Sequence, residues 1–246
     1  METASAKEMN DFTLRFVIFF ALAVLGGLTV VAQEKVPDAD AKLISSANYK
    51  MPQAAIDAEI DGKVIFAVHV DKTGKPTKAV LVSGLIWPCG TTPVKEIEEL
   101  SKVLTDSILQ STFSPAINDG KPVAKDLGLS FTLKNPKLKP SPPEMDPATG
   151  TPLPKYISAG VLNGRAKSLR QPAYPDEAKS ERASGIVVVE IHIDETGKIV
   201  RAGTIEGHPL LQNAAREAAC SARFNPTLLN GRPVNVIGTL TYNFRP

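Results

Sequence analysis

The chain states nearly the same pattern twice, and that repetition constrains its fold more than any other feature. Residues 62–84 and 185–207 align at one fixed offset of 123: Gly62 falls on Gly185, His69 on His192, Asp71 on Asp194, Thr73 on Thr196, Gly74 on Gly197, Lys75 on Lys198 and Gly84 on Gly207. Further along the offset is 111. There Phe113-Ser114-Pro115 matches Phe224-Asn225-Pro226, and Gly120-Lys121-Pro122-Val123 matches Gly231-Arg232-Pro233-Val234. The first copy therefore carries a net twelve additional residues between its two blocks, in a stretch that includes Ile86-Trp87-Pro88-Cys89-Gly90. Glycine fills roughly 7% of positions in ordinary proteins, so several coincidences in order point to a repeat. Two small domains are expected, each about 80–90 residues, and at that size each should be a single sheet with helices on one face.

The second copy reads most plainly. Pro175-Asp176-Glu177-Ala178-Lys179 places proline and acids at a helix start. Val187, Val189, Ile191 and Ile193 then alternate with Val188, Glu190 and His192, which predicts a strand with one buried face. Asp194-Glu195-Thr196-Gly197 predicts a hairpin turn, in which aspartate bonds forward to the backbone and glycine supplies the positive φ. Lys198–Glu206 returns as a second strand, and Pro209 opens a second helix carrying Leu211, Ala214, Ala215, Ala218 and Ala222. Val234, Val236, Leu240, Tyr242 and Phe244 form a last strand, with Gly238 interrupting it. The first copy follows the same order, with Val64, Phe66, Val68 and Val70 on its first strand and Ile97, Leu100, Leu104 and Ile108 along its second helix. The expected fold class is α+β, with two tandem three-stranded antiparallel sheets, each carrying two helices.

The expected organisation is a signal peptide or membrane anchor over 1–32, a tether over 33–48, a first domain over 49–134, a proline-rich linker over 135–160 and a second domain over 161–246. The apolar run Phe16–Ala32 lies between a long signal core and a short membrane span, and Val30 and Ala32 precede Gln33 as small residues suited to cleavage. Cleaved signal and retained anchor both stay open; either implies that the bulk of the chain is exported, anchored by 16–32 in the second case. Residues 135–154 hold seven prolines and are expected to form an extended spacer. Cys89 and Cys220 do not occupy matching positions, so a bridge between them would join the domains. A disulfide, two free thiols and an intermolecular bond remain alternatives at this point.

Chemistry is mostly absent. No nucleophile motif, phosphate loop or metal-ligand spacing occurs, no cofactor is implied, and no constellation supplies nucleophile, base and oxyanion donors, so an enzyme is not expected. A formal net charge of +2 gives no footprint for nucleic acid. His69, His192, His208, Asp71 and Asp194 have structural explanations in strands, a helix start and turns. What remains is a binding surface: a last strand at a sheet edge, Pro233–Phe244, offers unpaired N–H and C=O groups to an extended peptide.

The second copy resembles the C-terminal domain of the TonB family. The resemblance rests on Gln171-Pro172-Ala173-Tyr174-Pro175, Gly185 with its valine-rich strand, Ile193-Asp194-Glu195-Thr196-Gly197, Gly207-His208-Pro209-Leu210-Leu211, Ala222-Arg223-Phe224-Asn225-Pro226 and Tyr242-Asn243-Phe244. The first copy looks like a degenerate relative, with Met51-Pro52 standing where Tyr174-Pro175 does. The resemblance implies a periplasmic module that grips an extended segment, the TonB box, of an outer-membrane TonB-dependent receptor by strand addition. It implies partner contacts at Gln171, Pro172, Tyr174, Val234, Val236, Leu240, Tyr242 and Phe244. It further implies energy transduction by an ExbB–ExbD motor if the chain stays anchored, and pairing of two copies through their last strands as a route to a homodimer. A soluble periplasmic protein-binding or envelope-structural module without energy coupling is the alternative. The histidine usual in the family's anchor is missing from Phe16–Ala32.

Overall fold

In the first lobe the chain runs β1 (Lys42–Ser45), α1 (Gln53–Asp57), β2 (Gly62–Val70), β3 (Pro76–Ser83), β4 (Trp87–Pro88), α2 (Val94–Leu109), β5 (Thr112–Ser114), β6 (Ala116–Asn118), β7 (Lys121–Val123) and β8 (Lys125–Leu133). The second lobe follows with β9 (Tyr156–Val161), β10 (Ala166–Ser168), α3 (Asp176–Ser180), β11 (Gly185–Ile193), β12 (Ile199–Glu206), α4 (Pro209–Ser221), β13 (Arg223–Phe224), β14 (Thr227–Leu229) and β15 (Arg232–Phe244). The computed structural model describes residues 37–138, 145, 150–152, 154 and 156–245. The run Phe16–Ala32 lies outside the described residues, and among those described no helix is long and apolar enough to cross a membrane.

The architecture is α+β. In the first lobe β3, β2 and β8 form an antiparallel sheet in that order. In the second, β12, β11 and β15 pair in the corresponding order, and the sheet continues past both borders, with β4 beside β12 and with β14 and β9 beside β15. Strand alternation sorts the side chains. Val64, Phe66, Val68 and Val70 of β2 pack on Leu100, Leu104 and Ile108 of α2, while Val187, Val189, Ile191 and Ile193 of β11 pack on Leu211, Ala215, Ala218 and Ala219 of α4. Each lobe thus has its own core.

The two hairpins close with the same turn for the same reason. Asp71 Oδ1 accepts from the Thr73 amide (2.8 Å), the Thr73 hydroxyl (2.6 Å) and the Lys75 amide (3.0 Å). Asp194 Oδ1 accepts from the Thr196 amide (2.9 Å), its hydroxyl (2.6 Å) and the Lys198 amide (3.0 Å). Gly74 and Gly197 sit at φ +87° and +85°, and a Cβ there would lie 2.3 Å from Phe113 O and 2.1 Å from Phe224 O. Phe113 N donates to Gly74 O (3.2 Å) and Phe224 N to Gly197 O (2.9 Å). The Phe-x-Pro block therefore docks on the turn glycine, which gives a physical reason for the two blocks to recur together.

Three boundaries differ from expectation. The tether expected over 33–48 is folded in part: β1 pairs antiparallel with β5, Ala39 bridges Ile117, and Asp38 accepts from the Asp119 amide. The short strands β5 and β6 leave main-chain groups that this segment satisfies. The linker expected over 135–160 begins and ends inside the lobes. Buried Asn135 donates to the carbonyls of Ala55, Ile56 and Ile60 at 3.0–3.3 Å, and Tyr156–Val161 is strand β9. The last strand runs through Gly238 without interruption.

The first copy's additional loop is the clasp between the lobes. β4 pairs antiparallel with β12, Gly84 N donates to Thr204 O (2.8 Å) and Cys89 N to Val200 O (2.9 Å). A Cβ on Gly203 would meet Leu85 O at 2.0 Å, so glycine is required for this close approach. Arg216, 4% exposed, donates to the carbonyls of Ala202, Trp87 and Pro88 at 2.9–3.0 Å, with its guanidinium 3.9 Å from the Trp87 ring centroid. Burial pulls this group down to about 10, still charged at neutral pH. Arg201 donates to Asp61 Oδ1 (2.5 Å) and Glu59 O (2.7 Å); burial nevertheless holds the Asp61 carboxyl above its ordinary value. Cys89 and Cys220 are bonded, closing a loop of sequence separation 131.

Two measurements check these assignments. Reduction, or Cys89→Ser with Cys220→Ser, should cost about 2–4 kcal/mol, the range typical of disulfides, and lower Tm; identical melts with and without reductant would contradict the clasp. Asp71 is held below the ordinary carboxylate value by the Thr73 hydroxyl and then the Lys75 and Thr73 amides. At Asp194 burial pushes the carboxyl up, but the Thr196 hydroxyl and the Lys198 and Thr196 amides together outweigh it. A folded-state pKa below the unfolded one gives stability that is complete above the unfolded value, about 3.9, and is lost as pH falls through the folded one. Asp194→Ala should therefore lower Tm at neutral pH and flatten its fall below about pH 4; parallel acid profiles would contradict this.

Candidate functional site

The candidate site is the outer border of β15. Successive strand residues turn their N–H and C=O to opposite sides, so β15 bonds β11 with one set and presents the other outward. The outward set is identified by its partners: Thr239 O accepts from Leu162 N (2.9 Å), Thr241 O accepts from Asn163 Nδ2 (2.8 Å), and Thr241 N donates to Asn163 Oδ1 (2.9 Å). The odd-numbered residues thus face a prospective partner strand, whereas Leu240 turns its main chain to β11.

This border is not open, which corrects the expectation of a free last strand. β14 covers its first residues, pairing Thr227 with Val234 and Leu229 with Arg232. β9 then runs parallel to it, with Asn235 opposite Tyr156, Val236 opposite Ile157 and Ile237 opposite Ser158. The register shifts before Thr239 opposite Val161, where Gly160 takes φ +61°. Leu162, 3% exposed, drops into the second lobe's core, and Asn163 ends the contact with a side-chain amide that imitates a strand residue's peptide. An unpaired edge costs main-chain hydrogen bonds, and here the chain supplies its own cover.

Gly238 explains how Leu162 fits. A Cβ at 238 would lie 2.4 Å from Leu162 Cδ1 and 2.9 Å from Gly160 O. In the first lobe the corresponding place, opposite Val68 as Gly238 is opposite Ile191, is taken by Leu127. One lobe fills that part of its core from its own strand and the other from β9. The glycine first read as an interruption of the strand was the sequence signal for this contact, since a strand glycine often marks a close approach. The alternation in Tyr156–Val161 was too short, and too near the prolines, to be read as a strand.

The residues expected to contact a partner fall into two groups. Val234, Val236, Leu240, Tyr242 and Phe244 all point into the core, at 9% exposure or less, so their side chains hold the strand in place and only its main chain faces the border. The interleaved Asn235, Ile237, Thr239 and Thr241 are half-buried and Asn243 is exposed on the other face. Tyr242 Oη makes no hydrogen bond among the described residues, and burial pushes its hydroxyl up to about 12. Tyr174 is a brace: its hydroxyl donates to Ala183 O (2.5 Å) and its ring stands edge-on to Phe244, centroids 5.6 Å apart. Gln171 is exposed and Pro172 half-buried. Tyr156 of β9 lies against His192, ring centroids 5.6 Å apart, and His192 Nε2 is 3.2 Å from Glu190. These contacts give His192 a structural setting.

Residues 170–246 match the family described as Gram-negative bacterial TonB protein C-terminal. No curated protein and no solved structure matches the chain. The matched residues contain α3, β11, β12, α4 and β15, and begin after β9.

If Gly238 is what admits Leu162, Gly238→Ala should expel β9 while leaving β11, β12 and α4 folded. Chymotrypsin should then cut after Leu162 roughly tenfold faster; an unchanged cleavage rate would contradict the assignment.

Proposed function

Because residues 170–246 form a domain of the TonB C-terminal family, we propose that this is an envelope protein whose second lobe grips an extended segment of an outer-membrane receptor by adding it as a strand to β15. The observation that carries the reading is the one made on β15 itself: its outer border already pairs over Asn235–Thr239 with an extended, parallel segment of the same chain, and Leu162 and Asn163 just after that segment bond Thr239 and Thr241. An edge that accepts one such segment has the geometry to accept another. The Cys89–Cys220 disulfide is consistent with an oxidising compartment such as the periplasm.

Energy coupling belongs to this reading only through Phe16–Ala32. If that run is retained in the inner membrane beside ExbB–ExbD, the protein transmits force; if it is removed, the same lobe serves as a soluble periplasmic binding module. The first lobe is then a degenerate second copy that acts as a rigid adaptor, clamped to the second by β4, Arg216 and the disulfide.

The test is a photo-crosslinking residue at Asn243, exposed beside the border, in living cells. An adduct with an outer-membrane receptor is expected. Thr241→Pro, which removes an outward N–H without breaking the β11 ladder, should reduce its yield at least about tenfold. Undiminished adduct in Thr241→Pro would contradict strand addition.

A further inference from the structure

β9 differs in kind from the strands it joins. It lies outside the residues that match the family, which begin at 170. β11 and β15 pair through an unbroken register from Gly185–Phe244 to Ile193–Val236. β9 holds β15 over only Asn235–Thr239, with a register shift inside that span. Beyond this short ladder it is attached by one fully buried side chain, Leu162, whose amide bonds Thr239 O, by the partly buried Ala159, by the Tyr156–His192 ring contact and by the two hydrogen bonds of Asn163 with Thr241; Val161 beside them is 66% exposed. The sequence before it, residues 135–154, holds seven prolines, a composition that disfavours ladder pairing.

We propose that Tyr156–Asn163 is an internal competitor for the partner-binding border of β15, and that an incoming segment binds by displacing it. This rests on the strand-addition reading above and adds its regulation. It also specifies the segment. The competitor shows what the border accepts: an extended peptide running parallel to β15, uncharged along the contact, with a leucine-sized apolar residue to fill the space above Gly238 and a hydrogen-bonding side chain or peptide to satisfy Thr241. Occupancy of the border by β9 weakens any partner's binding in proportion to the fraction of molecules in which the border is free.

The probe is a fluorescently labelled synthetic peptide with the sequence of residues 156–163, titrated into the full chain. In Ser158→Pro/Ala159→Pro, two adjacent prolines remove an N–H whichever of the pair faces β15, so the internal strand cannot pair there. Ser158 is exposed, and Ala159 is partly buried against the second lobe's core without lying in its three central strands. The double variant should bind the peptide at least about tenfold tighter than the wild type. Asn163→Ala, which removes only the two bonds to Thr241, should fall between them, and gives the same comparison if the double variant does not fold. A peptide with Leu162→Asp should lose binding to both variants. Equal affinity of wild type and variants for the probe overturns the proposal alone, because the border then takes a strand with β9 in place. Absence of binding to all three overturns strand addition, and the proposal with it.

Discussion

A strand at the border of a sheet leaves every second N–H and C=O without a partner, and the rest of this structure follows from how that deficit is met. The second lobe has two such borders. The additional loop of the first lobe closes one, through β4 on β12, and the segment before the second lobe closes the other, through β9 on β15. The first closure is made permanent by a covalent bond, a buried arginine stacked on Trp87 and a glycine contact that admits no side chain. The second has a short parallel ladder with a register shift, a single fully buried leucine, a ring contact and a side-chain amide. The border held loosely is the one on which the functional reading depends.

The difference also accounts for the asymmetry between the lobes. Leu127 and Gly238 occupy corresponding places in β8 and β15, yet one fills its core from within and the other leaves a space that a distant residue fills. That exchange makes the core of the second lobe partly dependent on chain outside its family-matched residues. Packing and edge coverage are therefore coupled there: the same residue, Leu162, seals the core and anchors the strand that blocks the border.

Much of the fold was legible because it is written locally. The Asp-x-Thr-Gly turns, the alternation along β11 and the alanine stripe of α4 need only neighbours in sequence, and each settles where period and turn chemistry place it. The borders were not legible in the same way. β4 is two residues long and β9 follows a run of prolines, so neither carries a periodic signal, and their partners lie far along the chain. Arg216 reads as a solvent-facing helix residue until Trp87 from the other lobe covers it. Val234, Val236, Leu240, Tyr242 and Phe244 form the expected strand, but their burial leaves main-chain groups at the border, which sequence does not display. The pairing of Cys89 with Cys220 was left open because it depends on the juxtaposition of the lobes.

The central claim is that the cover on β15 opens without the domain unfolding. Native-state hydrogen exchange of the wild-type chain in low denaturant measures this directly, by comparing the Leu162 amide, bonded to Thr239 O, with the amides of β11 in the middle of the sheet. The account predicts that Leu162 exchanges through a local opening at least about 2 kcal/mol below the free energy of global unfolding reported by β11. Exchange of Leu162 at the same free energy as Val189 and Ile191 would make β9 an integral strand and contradict it.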